Sequence, residues 1–275
     1  MTAHRLLATL CLAALLAAGG LFTAGAARAQ PVPDGLVSAE LLPGWQTAEG
    51  RYMSALRVRL APGWKTYWRS PGEAGIPPLF DWTGSDNVAA VQIHWPRPKV
   101  FLLSGYRTLA YPDELLLPVE VTPARPGDPV TLRLSADIGI CEEICVPVTI
   151  RTDVALTAGS TADAAIAQAL RQVPPDARAQ GLPAARCSAE PIRDGMRLTA
   201  TIPYPTAAPD SFAIVELKDR AVWVAPVETR LENGSMVQVS DLVPGDAKPF
   251  ALSRGAVRLT VFSGNDVVEF SGCKG

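Results

Sequence analysis

Short segments that alternate apolar and polar residues recur between positions 37 and 156, and they restrict this part of the chain to β-structure. Leu56-Arg57-Val58-Arg59-Leu60 is typical of a strand with one buried face, because the apolar side chains occupy every second position. Turns rich in Pro, Gly, Asp and Asn separate these segments. Further strands are predicted at residues 88–95, 115–121, 130–134 and 146–156. The pattern predicts an all-β, immunoglobulin-like sandwich.

A second strand-rich block lies between positions 187 and 273 and predicts a second sandwich. Its strands are expected at residues 196–202, 212–217, 236–239, 256–262 and 267–270, with a hairpin turn at Glu232-Asn233-Gly234-Ser235. An Ala-rich segment at 161–173 predicts one helix, capped by Thr161 and stopped by Pro174-Pro175. The predicted organisation is a signal peptide at 1–29, a first sandwich at 30–158, a helical linker at 159–181 and a second sandwich at 182–275.

The first 29 residues have the features of a secretory signal peptide. His4 and Arg5 precede an apolar run at 6–16, and the small-residue cleavage site Ala27-Arg28-Ala29 follows. A retained N-terminal anchor is the alternative, although Gly19-Gly20 leaves the run shorter than the roughly 20 apolar residues of a membrane span. The sequence therefore predicts an exported protein in a compartment where disulfides persist.

Charge and histidine content exclude several classes of function. Removing Arg5 and Arg28 with the signal leaves 23 of the 25 basic residues against 27 acidic ones, which argues against nucleic acid or an anionic membrane surface as a partner. His94 is the one histidine after the signal, so neither a His-based metal site nor a Ser-His-Asp hydrolase is expected.

Four cysteines remain after the signal, and they form two pairs with different expected roles. Cys187 precedes the first strand of the second block and Cys273 follows the last, so a disulfide would link the ends of that sandwich. Such a bond would contribute roughly 4–5 kcal/mol by closing a long loop. A bridge from either cysteine to the first sandwich is the alternative.

The sequence Cys141-Glu142-Glu143-Ile144-Cys145 carries the pair with a predicted redox role. An extended segment would hold the two Cα atoms roughly 13 Å apart, beyond the limit of about 7 Å for a disulfide, so a tight turn is required. Closing so short a loop stabilises a fold little, which favours a redox site over an inert local disulfide. Asp137, Glu142 and Glu143 disfavour thiolates nearby and predict a comparatively reducing pair.

Two alternatives to a redox site belong to other functional classes. Two thiolates suit Cu(I), so the protein could be a copper-binding or copper-tolerance accessory protein with the ion held by Cys141 and Cys145. It could also be an interaction module in which every disulfide is structural. Zinc is disfavoured because no second cysteine pair lies close in the sequence.

Three ordered motifs resemble a known family. These are the segment from Trp64 to Pro78 (WKTYWRSPGEAGIPP), then Trp95-Pro96-Arg97-Pro98-Lys99, then the run from Cys141 to Pro147. Together they resemble the N-terminal periplasmic domain of the thiol:disulfide interchange protein DsbD, in the form found in suppressor of copper sensitivity protein B. The resemblance covers about residues 37–156, and the second block only by its position and size.

The resemblance implies a soluble periplasmic protein whose cysteine pair relays electrons without an organic cofactor. Cys145 would form mixed disulfides and Cys141 would resolve them. The clients would be periplasmic disulfide proteins. The chain contains neither the membrane domain nor the thioredoxin-like domain of DsbD, so a membrane-embedded or thioredoxin-like electron donor is expected to act in trans.

The same resemblance implies a cap loop over the pair, formed by Phe101, Leu102, Leu103, Ser104 and Gly105. A core strand is the alternative for 101–103, because a short apolar run is ambiguous. The aromatic residues nearby are likewise expected to have either a structural role or a role at the redox site. Trp64 and Trp68 are expected to fill the sandwich interior, whereas Tyr67, Tyr106 and Tyr111 are candidates to line the redox site.

Overall fold

A computed structural model describes residues 34–103, 105–159 and 161–275. The predicted signal peptide at 1–29 lies outside the described residues. The strands of the first part are β1 (Leu36–Gln46), β2 (Tyr52–Leu60), β3 (Lys65–Gly72), β4 (Leu79–Asp81), β5 (Val88–Ile93), β6 (Lys99–Leu103), β7 (Tyr106–Pro112), β8 (Glu114–Pro123), β9 (Val130–Cys141) and β10 (Cys145–Leu156). One helix follows, α1 (Ala164–Leu170). The remaining strands are β11 (Arg186–Ile192), β12 (Gly195–Pro203), β13 (Phe212–Leu217), β14 (Val222–Glu232), β15 (Ser235–Pro244), β16 (Val257–Ser263) and β17 (Asp266–Ser271).

The first ten strands form an antiparallel sandwich. One sheet has the order β1-β2-β8-β5 and the other the order β10-β9-β3-β7-β6, with β4 also paired to β9. The alternation predicted for β2 is confirmed, since Leu56, Val58 and Leu60 are buried while Arg59 is exposed. Trp68 is fully buried in the core between the sheets, as expected.

The helix is shorter than predicted and has a different cap. It spans Ala164–Leu170, and the Asp163 side chain, not that of Thr161, accepts hydrogen bonds from the backbone N–H groups of Ala165 (2.8 Å) and Ile166 (3.0 Å). Asp163 takes this role because its carboxylate lies next to the first turn. Ile166 is fully buried against Met53 and Ala55 of β2, so α1 covers the outer face of the first sandwich as well as leading to the second.

The second sandwich packs the sheet β11-β12-β15-β14 against the sheet β13-β16-β17. The predicted hairpin turn is confirmed between β14 and β15, where Asn233 and Gly234 both have positive φ angles (50° and 74°). Two residues with positive φ match the twist of the flanking strands. The all-β fold with two immunoglobulin-like sandwiches joined by a short helix is therefore confirmed.

The two sandwiches contact each other directly through β3. The Arg69 guanidinium donates to Glu216 (3.0 Å) and Glu269 (2.7 Å) of the second sandwich, and its side chain is only 12% exposed. The adjacent Trp68 ring meets Phe262 edge-on, with centroids 5.8 Å apart.

The described residues form one compact unit, and the predicted domain limits stay a prediction. Among these residues no helix is long and apolar enough to cross a membrane.

Candidate redox site

The β9–β10 hairpin brings the two cysteines of the pair together. Cys141 ends β9, Cys145 begins β10, and the two residues are directly opposed in the ladder. Their Cα atoms are 4.2 Å apart, and their sulfur atoms form a disulfide. Glu142, Glu143 and Ile144 form the tight turn that the chain-reach argument required.

The two cysteine residues differ in exposure. Cys141 is 2% exposed, whereas Cys145 is an exposed residue on the terminal strand of its sheet. Ile144, beside Cys145 at the tip of the hairpin, is 76% exposed. An incoming thiolate therefore reaches Cys145 more readily than Cys141, because thiol–disulfide exchange depends on which sulfur is accessible.

The hydroxyl group of Tyr67, on β3, contacts both sulfur atoms. It donates a hydrogen bond to Cys141 Sγ (2.8 Å) and lies 3.2 Å from Cys145 Sγ. Burial raises the pKa of the Tyr67 phenol above its ordinary value of 10.0, so the group is protonated at neutral pH and available as a donor. A donor placed here stabilises negative charge on Cys141 when that sulfur leaves the disulfide.

The other two tyrosine candidates do not line the pair. Tyr111 is buried in the sandwich core and donates its hydroxyl to the Pro96 carbonyl (2.6 Å). Tyr106 is 55% exposed at the start of β7. The periodicity of the sequence could not separate the three, because only the register of β3 against β9 places Tyr67 on the face of Cys141.

The segment predicted as a cap loop is the outer strand of a hairpin. Residues 99–103 form β6, which pairs with β7, and Ser104 lies outside the described residues. The Phe101 side chain packs with Tyr67 and Cys141, while Leu102 is 74% exposed on the opposite face. This segment is therefore an edge strand and not the core strand of the alternative, and Phe101 alone of its described side chains packs against the pair. Its role as a cap stays a prediction.

Ile76 is a second covering residue that the sequence did not single out. It packs in the same cluster as Tyr67, Phe101 and Cys141. A Cβ at Gly139 of β9 would lie 2.7 Å from the Ile76 side chain, so only glycine lets the segment before β4 lie against the strand. A glycine inside a strand often marks such a close approach, and Gly139 was the available signal.

The charges around the pair are more mixed than the sequence indicated. Glu142 and Glu143 are exposed in the turn, and Asp137 accepts a hydrogen bond from Thr149 Oγ1 (2.6 Å). However, Lys65 is directly opposite Cys141 on β3, and its Nζ donates to the Glu142 carbonyl (3.1 Å) and lies 5.9 Å from the Phe101 ring centroid. A cation here favours thiolates and opposes the acidic neighbours. The reducing character of the pair stays a prediction.

The second cysteine pair forms a disulfide within the second sandwich. Cys187 of β11 forms a disulfide with Cys273 beyond β17, with Cα atoms 5.7 Å apart. The bond joins the first strand of the second sandwich to the segment after its last strand.

In the described part of the chain, no group of three or more His, Cys, Asp or Glu side chains is arranged to hold a metal ion. The copper alternative stays a prediction.

The chain is similar to a known protein family and to a solved structure. Residues 38–157 match the family model described as thiol:disulfide interchange protein DsbD, N-terminal. A search of curated proteins finds no match. The crystal structure of the N-terminal periplasmic domain of ScsB from Proteus mirabilis is 23% identical with a TM-score of 0.58, and the match covers 90% of this chain and 96% of that one. The resemblance noted in the sequence is thus confirmed, and the solved structure establishes a shared fold.

Proposed function

We propose that this chain is a periplasmic thiol–disulfide exchange protein that passes electrons through Cys141 and Cys145. One observation supports this most strongly: an exposed cysteine is bonded to a buried one whose sulfur already accepts a hydrogen bond from a protonated phenol. A purely structural disulfide needs neither the difference in exposure nor the donor. The match of residues 38–157 to the DsbD N-terminal family supports the same chemistry.

The proposed cycle needs no group beyond the two cysteines. In the reduced protein the Cys145 thiolate attacks a client disulfide, so a Cys145–client bond forms and one client sulfur leaves as a thiolate. The Cys141 thiolate then attacks Cys145 Sγ, which releases the second client sulfur and restores the Cys141–Cys145 disulfide. Two electrons have moved to the client, and the two client thiolates take up two protons.

Reduction of the protein runs through the same atoms in reverse. A donor thiolate attacks the exposed Cys145 Sγ, and Cys141 leaves as a thiolate that the Tyr67 hydroxyl stabilises. A second donor thiol then releases Cys145. We propose a membrane-embedded or thioredoxin-like protein as the donor in trans, and periplasmic disulfide proteins as the clients. The name of the Proteus mirabilis relative, a periplasmic domain, supports the proposed location.

Trapping of a mixed disulfide tests this function. The Cys141→Ala variant lacks the resolving thiol, so it should accumulate adducts through Cys145 in periplasmic extract, visible on a non-reducing gel and removed by a reductant. The matched Cys145→Ala variant, whose remaining thiol is buried, should give few or none. If neither variant forms an adduct, the proposed exchange function is wrong.

A further inference from the structure

The outer edge of β10 presents free backbone groups next to Cys145. β10 is the terminal strand of its sheet, and in the described residues it is hydrogen-bonded as a strand only to β9. Cys145, Pro147 and Thr149 are exposed on one face of β10. Val148 and Ile150 are on the other face and are buried in the core. Leu41 N–H of β1 donates to Thr152 Oγ1 (3.4 Å) farther along β10, so the edge without a strand partner is the part that begins at Cys145.

The direction of these backbone groups follows from the pairing. Opposed residues of an antiparallel ladder lie about 4.5 Å apart when they do not hydrogen-bond to each other, and about 5.5 Å when they do. The Cα distance of 4.2 Å between Cys141 and Cys145 identifies the first kind. The N–H and C=O of Cys145 consequently point away from β9, towards the free edge.

Pro147 supports the same assignment independently. It is opposed to Gly139, two positions from the Cys141–Cys145 pair, and so belongs to the same kind of pair. A proline fits there because it has no N–H to give to β9. Alternation then directs the backbone N–H and C=O of Thr149 to the free edge as well. The edge offers the N–H and C=O of Cys145, the C=O of Pro147 and the N–H of Thr149.

From this edge we infer that the partner chain which exchanges disulfides with Cys145 docks as an added antiparallel strand on β10. A residue opposite Cys145 would form a hydrogen-bonded pair with it, about 5.5 Å away between Cα atoms, which lies within the range that a disulfide spans. The occupant is thus an extended segment whose own cysteine faces Cys145. Backbone hydrogen bonds would supply affinity that does not depend on the client's sequence.

Pro147 also limits how far such pairing extends. An exposed strand edge is ordinarily a site of aggregation, and a proline on the edge interrupts continuous pairing. With one donor missing in the middle, the edge holds a short segment around the cysteine and does not template a long strand. This property suits a protein that must release each partner after exchange.

The inference depends on the proposed function, so its test separates the two. The Cys141→Ala protein is reacted with two coloured probes: the small aromatic disulfide DTNB, and a synthetic peptide whose cysteine, near its C-terminus, is joined to the same aromatic thiol. In the peptide reaction the Cys145–peptide bond forms and the aromatic thiolate leaves. DTNB has no peptide backbone and reports the reactivity of Cys145 alone.

Two substitutions at one position isolate the backbone contribution. Thr149→Pro removes the outward N–H, whereas Thr149→Ala keeps it while losing the same side-chain bond to Asp137. The inference predicts that Thr149→Pro reacts about fivefold more slowly with the peptide than Thr149→Ala does, the value of one hydrogen bond of about 1 kcal/mol. Both variants should react equally with DTNB.

N-methylated peptides provide a second readout that leaves the protein unchanged. Opposite Pro147 lies the peptide residue two positions before the cysteine, and methylating its nitrogen should slow the reaction about fivefold. Methylating the nitrogen one position before the cysteine, which points away from β10, should have no effect. Equal rates for the two peptides and for the two Thr149 variants would overturn strand addition. No reaction of Cys145 with DTNB would overturn the exchange function itself.

Discussion

Replacing Tyr67 with Phe should slow reduction of the Cys141–Cys145 disulfide without disturbing its packing. The ring stays against Ile76 and Phe101, and only the hydroxyl that donates to Cys141 Sγ (2.8 Å) is lost. When a thiolate attacks Cys145, negative charge develops on Cys141, which is 2% exposed and has little water to stabilise it. The Tyr67 hydroxyl supplies this stabilisation.

The magnitude follows from the value of such a bond. A hydrogen bond to a charged group is worth about 1.5–3 kcal/mol. We take about half of this value to be expressed at the leaving sulfur in the transition state, by analogy with the Brønsted coefficient of about 0.4–0.5 for the attacking thiol. With a tenfold change in rate for each 1.36 kcal/mol, the rate should fall by roughly 3- to 12-fold.

The assay is the rate at which reduced glutathione reduces the oxidised protein at neutral pH, followed by acid quenching, alkylation and mass spectrometry. Tyr111→Phe is the matched control, because it also removes a buried hydroxyl, one that donates to the Pro96 carbonyl (2.6 Å) away from the pair. The reasoning is refuted if Tyr67→Phe stays within twofold of the wild-type rate, or if Tyr111→Phe slows reduction as much.

Three further predictions concern stability. Replacing Cys187 and Cys273 with Ala should lower the free energy of unfolding by roughly 4–5 kcal/mol in urea titrations, because a long loop is freed. The rate of exchange should stay unchanged, because Cys187 packs in a different core cluster from Tyr67 and Cys141. Arg69→Gln should cost about 1.5–3 kcal/mol, the value of a hydrogen bond to a charged group, because Glu216 and Glu269 lose their closest partner at the sandwich interface and keep only the more distant Arg258. Arg59→Gln, at an exposed ion pair, should cost less than about 1 kcal/mol, and equal losses would contradict a stabilising role for the interface. Burial lowers the pKa of His94 below 6.5 despite the neighbouring Glu120, so the unfolded chain takes up a proton at a higher pH than the folded protein does. The free energy of unfolding should therefore fall as the pH drops below about 6.5. The His94→Gln variant should lose less of its free energy of unfolding over the same pH range.

Much of the fold was predictable because its strands follow simple patterns. β2 alternates cleanly, and the turn at Asn233-Gly234 is set by residues that adopt positive φ. Strand β14 was missed because it lies at a sheet edge with most of its side chains exposed, so burial imposes no alternation on its sequence. The cap of α1 was misassigned to Thr161 because Asp163, two positions later, is an equally good capping residue.

The site was predictable only where neighbours in the sequence are also neighbours in space. The Cys141–Cys145 turn is local, and chain reach alone required it. Tyr67, Lys65 and Ile76 reach the pair through the pairing of β3 with β9 and the segment before β4, which no local pattern encodes. Lys65 shows the consequence: it lies directly opposite Cys141, although it is 76 positions away in the sequence and the acidic residues beside the cysteines are its near neighbours only in space.

The redox behaviour of the pair can be measured by equilibrating the protein in buffers of reduced and oxidised glutathione and following the alkylation of each cysteine by mass spectrometry. A cycling pair should titrate as a two-electron couple at Cys141 and Cys145 while Cys187 and Cys273 stay bonded. Its potential should lie well below the value of about −120 mV that marks a strong periplasmic oxidant. A pair that resists reduction as long as Cys187–Cys273 does, or one that titrates near −120 mV, would contradict an electron-donating relay at this site.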